Sequence, residues 1–310
     1  MDSSTVIGID LGGTKAAGAL FDRQGRILRQ EQRSLAGRAG EAVGHLITGL
    51  VRQLIDEARE HDRTVTAVGI GVPGIYHRDR GRVWAPNIPG WEDFPLRDAL
   101  ATALESEDLA IRIDSDRACY ILGEAWRGAA AGCRDAIFLA IGTGIGAGIL
   151  VDGRILRGAA DIGGAVGWMM LGESKIPHDP GMGHFESHAS GSGLAHVASY
   201  LMSRAKAPTA EAVFQAYHRG DPEAKAVLRL AVQYWGRAVA NLVSIFNPEK
   251  VIFGGGVFGP AAGLLHEIYA EALKWGQPIS MQQVRLEPSR LGGQAGLYGA
   301  GYLALQGGRK

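Results

Sequence analysis

The stretches TVIGID (residues 5–10), LGGTK (11–15) and AAGALFD (16–22) read as two short strands joined by a glycine turn, an antiparallel start. From Glu41 to Ala58, Val43, Leu46, Ile47, Leu50, Val51, Leu54, Ile55 and Ala58 recur at three and four, predicting an amphipathic helix over one face of the sheet. AVGIGV (67–72) is a buried strand stopped by Pro73-Gly74. After a proline-broken loop (85–95), LRDALATAL (96–104) resumes helical spacing. LAIRID (109–114) is a further strand ending in Ser115-Asp116 before the helical ACYILGEAWRGAA, which puts the Asp116 carboxylate at a strand's C-terminal end, where open α/β sheets bind ligands.

The same grammar returns in AIFLAIG (136–142), a turn through Gly142-Thr143-Gly144-Ile145-Gly146, and AGILV (147–151), with Asp152-Gly153 as a hairpin turn to RILRG. Two strand–glycine-turn–strand units predict a duplicated architecture. Asp221-Pro222 supplies an N-cap oxygen and a first-position proline for a long helix from Glu223 to Ile245. The chain then passes Asn247-Pro248 into VIF (251–253) and Gly254-Gly255-Gly256, a strand running into backbone without side chains that something flat or charged can approach.

Composition narrows the partners. The 310 residues exceed the usual size of one domain, and 46% apolar with 21% charged residues suits a chain with sizeable cores. Lys plus Arg equal Asp plus Glu, 32 against 32, so there is no basic field for nucleic acid or an anionic membrane, and a small-molecule partner is expected. Cys119 and Cys133 alone give no disulfide framework or zinc ribbon and fit a reducing cytoplasm. The N-terminal MDSSTVIGIDLG has no signal-peptide pattern and no stretch is a membrane span, so a cytoplasmic protein is expected.

Glycine turns at strand ends expose backbone N–H groups that can surround phosphate oxygens. Neither turn is GxxxxGK[ST], and neither is GxGxxG opening a helix, so Walker-type and dinucleotide readings lack support. Phosphoryl transfer needs a carboxylate for the metal, donors around the phosphates and a base near the acceptor hydroxyl. Asp10, Thr14 and Lys15 on the first turn, Thr143 on the second and Asp116 on a third strand end supply that set. Simpler roles stand beside these: Asp10 as a turn cap, Lys15 as a solvated hairpin residue, Asp116 as the N-cap of the following helix.

The segments IGIDLGGTK (7–15), GIGVPG (69–74), APNIPGW (85–91), SDRACYILGE (115–124), GTGIGAGILVDGRILRGA (142–159), NPEKVIFGGGV (247–257) and QAGLYGAGYLA (294–304) resemble, in order and almost end to end, the ROK family of sugar kinases. The resemblance implies an α/β, two-domain actin-like ATPase (ribonuclease H-like) fold with a central cleft. The expected division is an N-terminal domain of residues 1–117 to which 291–310 return, and a larger domain of 118–290. The resemblance implies ATP as donor, Asp10 positioning Mg²⁺, phosphate contacts from Gly12, Gly13, Thr14, Gly142, Thr143 and Gly144, and Gly254, Gly255 and Gly256 beside the adenosine, with Lys15 of the first turn a further candidate for the nucleotide. Asp116 takes the proton from the sugar hydroxyl, with Gly74, Asn87, Ser115 and Glu186 on the sugar side, and a homodimer is implied. Family repressors carry a helix-turn-helix ahead of this fold; with the first turn within ten residues of Met1, no room for one is expected.

The sequence departs from the family where the sugar is read. Ser115-Asp116 stands for Asn-Asp, and Ala165-Val166-Gly167-Trp168 for Glu-x-Gly-His. The CxCGxxGC zinc motif falls on PHDPGMGH (177–184), which has no cysteine; structural zinc needs four N or S donors, so none is expected. A pocket that loses Glu and His reads hydroxyls less sharply. Trp168 either stacks on a sugar ring or fills the volume of the lost subsite. A less hydroxylated or N-substituted sugar, or a cyclitol, fits this drier pocket as well as glucose. The competing reading is a regulatory protein that binds a sugar or sugar phosphate without phosphorylating it.

Overall fold

The computed structural model describes residues 4–202 and 208–306, so the outermost residues of the expected domains, 1–3 and 307–310, lie outside it. In chain order the strands and α-helices are β1 (Ser4–Leu11), β2 (Lys15–Asp22), β3 (Ile27–Ser34), α1 (Glu41–Glu60), β4 (Thr64–Val72), β5 (Ile75–His77), β6 (Arg82–Trp84), α2 (Leu96–Ala103), β7 (Ala110–Ser115) and α3 (Asp116–Arg127). There follow β8 (Ala136–Ile141), β9 (Ile145–Val151), β10 (Arg154–Ile155), α4 (His184–Ala189), α5 (Gly191–Leu201), α6 (Ala210–His218), α7 (Pro222–Phe246), β11 (Lys250–Gly254), α8 (Leu265–Ala272), α9 (Pro278–Gln283), β12 (Arg285–Pro288) and α10 (Ala295–Leu305). They form two compact units: Met1–Ala131 with Arg157–Gly163 and Gly293–Lys310, and Gly132–Leu156 with Gly164–Gly292.

The first unit is built on a five-stranded sheet in the order β3-β2-β1-β4-β7, antiparallel across β3-β2-β1 and parallel across β1-β4-β7. Alternation along β1 sends Ile7 and Ile9 into the core with α1, whose Val43, Ile47, Leu50 and Leu54 are fully buried. Val6 faces the other way, toward Leu297 and Ala304 of α10. That helix lies close on the sheet because β1 and β4 offer glycines to it. A Cβ on Gly8 would sit 2.5 Å from the Gly301 nitrogen, and one on Gly69 would sit 1.9 Å from the Ala300 oxygen. The same device joins α3 to α10, where a Cβ on Gly299 would lie 1.7 Å from the Cys119 oxygen.

β3 was not expected from the sequence. ILRQEQRS is an edge strand with mostly exposed side chains, so it lacks the apolar alternation that marks a half-buried strand. The first unit also extends past residue 117, because α3 packs on α10, and it takes in the segment Arg157–Gly163. Arg157 reaches the buried Asp114 carboxylate at 2.6 Å, and Asp161 accepts from Arg78 Nε at 2.6 Å.

The second unit repeats the plan: β10-β9-β8-β11-β12, antiparallel over the first three strands and parallel over the last three. This is the duplication anticipated from the two glycine turns, and the two sheets share the topology of the ribonuclease H-like half of the actin-like fold. Asp152 and Gly153 both take positive φ in the β9–β10 turn, as a two-residue hairpin of this type requires. Asp221 accepts from the Glu223 and Ala224 amides and starts α7, which buries Tyr234, Trp235 and Val239 in the core of this unit.

Candidate active site

In the first unit Asp10 is the penultimate residue of β1, and the chain turns through Gly12–Thr14 with the Gly12 amide bonded to the Lys15 oxygen at 2.8 Å. Gly13, Thr14 and Lys15 are exposed on this turn, and Lys15 Nζ donates to Gln32 at 3.3 Å. Asn87 is brought to the turn: a Cβ on Gly13 would meet the Asn87 Cβ at 3.4 Å. Gly74 has a packing role, since its positive φ of 118° and the Trp84 oxygen, 2.2 Å from any added Cβ, leave no room for a side chain. Trp91 is fully buried and stacked on Phe94 at 4.5 Å, so it serves the loop that carries Asn87.

Asp116 is the first residue of α3, and Ser115 caps that helix, its hydroxyl accepting from the Ala118 amide at 3.2 Å. The N-cap alternative for Asp116 therefore passes to its neighbour, and the carboxylate is left for other work. One Asp116 oxygen accepts from the Arg117 amide at 2.7 Å; the other accepts from the Tyr120 hydroxyl at 3.3 Å. Tyr120 was not picked out from sequence, although its place four residues after Asp116 puts the two side chains on one helix face. Burial raises the Asp116 pKa, against the lowering influence of Arg117 and Tyr120.

Asp10 is pushed up to about 7, chiefly by burial and next by the Asp116 charge, with Lys15 pulling it down. A Cβ on Gly296 at the start of α10 would lie 2.7 Å from the Asp10 carboxylate, so the carboxylate is closely enclosed on that side. A buried carboxylate held up by its own burial and by the nearby Asp116 charge is a hard-oxygen ligand whose charge a divalent cation would relieve, and Mg²⁺ asks for one or two protein carboxylates plus phosphate oxygens. The donor set thus fits Mg²⁺ bound with a nucleotide.

The sign of the Asp10 shift gives a test without substrate. A carboxyl group whose folded pKa lies above its unfolded value contributes stability at low pH that is lost as pH rises from about 4 to about 7. Asp10→Asn is therefore expected to raise the melting temperature of the metal-free protein increasingly over that window and by a constant amount above it. Melting curves across pH, with and without Mg-ATP, check this; a pH-independent difference would contradict the burial of the Asp10 charge.

In the second unit the turn after β8 is closed by the Gly142 amide on the Gly144 oxygen at 3.0 Å. It is tied to the start of α5 by the Gly191 and Ser192 amides, which donate to the Gly142 and Thr143 oxygens. Glu186, on α4, accepts from the Ile145 amide at 2.6 Å and closes over Gly144, where a Cβ would lie 2.7 Å from its carboxylate. Of the three glycines at the end of β11 and just past it, Gly254 packs on Phe138 and Gly255, at φ 91°, on the Ile141 backbone. Only Gly256 is open, and with Gly142 and Thr143 it lines a cavity of about 870 Å³. Ser192, Ala195, Phe214, Val257 and Pro260 are among its other walls.

Trp168 is 65% exposed, so it does not fill an interior volume of this unit. The 177–184 loop leads into a histidine stack: ring centres are 6.1 Å apart for His178 and His184, 4.7 Å for His184 and His188, and 4.8 Å for His188 and Tyr234. His188 is buried with its nitrogens 2.8 Å from the His184 oxygen and 3.0 Å from that of Ile176, a structural histidine. Burial and the neighbouring His188 and His178 lower the His184 pKa. Among the described residues no three His, Cys, Asp or Glu side chains converge on a metal position. Among the described residues, too, no helix is long and apolar enough to cross a membrane.

Comparison with known proteins agrees with this architecture. The chain is similar to the glucokinase of Halalkalibacterium halodurans, 31% identical over 99% of this chain and 96% of the relative. It is also similar to the xylose repressor of Caldicellulosiruptor bescii, 30% identical over 88% of this chain and 70% of that protein. Among solved structures, a ROK family glucokinase from Streptomyces griseus in complex with glucose and AMPPNP matches with a TM-score of 0.74, at 28% identity over 98% of this chain and 100% of that one. The sequence pattern of the ROK family matches residues 6–307, and the chain belongs to that family.

Proposed function

We propose that this protein is an ATP-dependent carbohydrate kinase that transfers the γ-phosphoryl group to a hydroxyl of a sugar or sugar-like polyol, with Asp116 as general base. The observation that carries the reading is the Asp116 carboxylate itself: at a strand's C-terminal end, held by Arg117 and Tyr120, raised in pKa by burial, and electrostatically coupled to Asp10 next to a glycine turn. The glucokinase relative and the relative crystallised with glucose and AMPPNP support the same reaction.

In this reading Asp116 accepts the proton of the sugar hydroxyl as that oxygen forms its bond to the γ-phosphorus; the bond from γ-phosphorus to the β–γ bridging oxygen breaks, and ADP departs with the electron pair. Bound Mg²⁺ supplies neutralisation of the β- and γ-phosphate charge, and Asp10 is the residue that would hold it. Backbone N–H groups of Gly13 and Thr14 and of Thr143 and Gly144 orient phosphate oxygens, the Gly12 and Gly142 amides being used to close the turns, and Lys15 adds a positive charge to the first turn. Gly256 borders the nucleoside. Asn87, Ser115, Glu186 and Trp168 are the residues assigned to hold and orient the sugar. With Ala165 and Trp168 in place of Glu and His, the acceptor is a sugar read by fewer polar groups than glucose offers.

The test is product formation from Mg-ATP across hexoses, amino and N-acetylated sugars, keto sugars and cyclitols, followed as sugar phosphate. One strong acceptor is the expected result. Sugar binding without transfer to any member of the panel would replace the kinase by a sugar-sensing protein, the second reading, which the repressor relative favours.

A further inference from the structure

The cavity beside Gly142 and Thr143 has two chemically different ends. One is the turn of Gly142 and Thr143, which offers the Thr143 hydroxyl and backbone N–H. The other is the face of α6, where Glu211, Phe214, Gln215 and His218 follow one another at spacings of three, one and three and therefore share one side of the helix. Between them the walls are Ala195, Val257 and Pro260, with little to hydrogen-bond. The volume, about 870 Å³, suits a ligand larger than a triphosphate tail alone.

Glu211 is the single carboxylate among the described residues that line this cavity, and no lysine or arginine is among them. Its Oε1 accepts from Gln215 Nε2 at 3.2 Å, which fixes the carboxylate along the helix face. A carboxylate can only accept hydrogen bonds, and it repels a second anion. It is misplaced for a phosphoryl donor that carries negative charge along its whole length, as inorganic polyphosphate does. It is well placed for one whose far end is neutral and bears hydroxyl donors, as a ribonucleoside does. Phe214 and Val257 give such a ligand an apolar wall.

Resting on the kinase reading above, we propose that Glu211 sets the donor specificity of this chain: it accepts hydrogen bonds from the ribose hydroxyls of a nucleoside triphosphate and disfavours polyphosphate. Gln215 positions its carboxylate. A charge-assisted hydrogen bond to a ligand hydroxyl is worth about tenfold or more in affinity.

Equilibrium binding in the presence of Mg²⁺ tests this without any acceptor, so it is independent of whether phosphate is transferred. The wild-type protein should bind ATP at least about tenfold more tightly than 2′,3′-dideoxy-ATP. Glu211→Ala should weaken ATP to the dideoxy level and abolish the difference between the two, and should narrow the preference for ATP over tripolyphosphate. Glu211→Gln keeps shape and hydrogen-bonding capacity while removing the charge; it should retain part of the ribose discrimination and lose the selection against tripolyphosphate. Equal affinity of the wild type for ATP and dideoxy-ATP, an unchanged ratio in Glu211→Ala, or wild-type preference for tripolyphosphate would each overturn the assignment. A protein that discriminates as expected but phosphorylates nothing leaves Glu211 in place and removes only the kinase reading.

Discussion

Asp116→Asn is expected to lower sugar phosphorylation by about 10²–10⁴-fold, the usual contribution of a positioned general base, while nucleotide binding is retained. Asn is the sharper choice than Ala because its geometry can be kept. The side-chain oxygen can still accept from the Arg117 amide, and the amide group can donate to the Tyr120 oxygen. What disappears is the ability to take a proton. Tyr120→Phe separates the two properties: it leaves the carboxylate and removes a hydrogen bond that lowers its pKa, so the acidic limb of the rate profile should move to higher pH. Steady-state rates against pH with the best acceptor decide the matter. Wild-type turnover in Asp116→Asn would remove this residue from the reaction and the mechanism with it.

Gly299→Leu should destabilise the first unit by about 3 kcal/mol or more, in the range of severe overpacking. The reason is backbone against backbone. The new Cβ would begin 1.7 Å from the Cys119 carbonyl, and no rotamer moves a carbonyl that belongs to a helix. α3 and α10 would have to separate, taking α10 off β1 and β4. Gly49→Ala is the matching control, because an added Cβ in α1 meets nothing within 4 Å; it should stabilise by about 0.5–1 kcal/mol through helix propensity. Urea unfolding followed by a probe in each unit reads both substitutions. An unchanged midpoint in Gly299→Leu would mean that the helices do not meet as closely as described.

Much of the architecture was legible because its signals are local. The Asp152-Gly153 turn, the Asp221-Pro222 helix start and the spacing in α1 each lie within a few neighbouring residues, and the structure has all three. Asp10 and Asp116 were readable as acids at strand ends because an acid followed by a glycine turn or a helix start is a short pattern. Other features depend on residues distant in the chain. Gly254 and Gly255 look like ligand-facing glycines, yet Phe138 and Ile141 claim them, and only Gly256 stays open. The Asp114–Arg157 pair, which brings Arg157–Gly163 into the first unit, joins residues whose proximity no local period announces. β3 failed for a different reason: an edge strand that faces water on most of its side chains has no pattern to read. Tyr120 was the avoidable omission, since its register with Asp116 followed once the helix start was placed.

The glycine-lined seat of α10 also has a consequence for synthesis. The ribosome makes β1 and β4 before the helix that covers their Gly8 and Gly69 face, which emerges only after the whole of residues 132–292. Until then one side of the nascent first sheet, including Val6, Phe21 and Ala67, is without its cover. The later unit has its own sheet and core in one nearly continuous stretch, so it can complete itself while the earlier one waits. The chain is thus made in one order and finished in another, and the interval between them is when the protein is most exposed to chaperones and to misassembly.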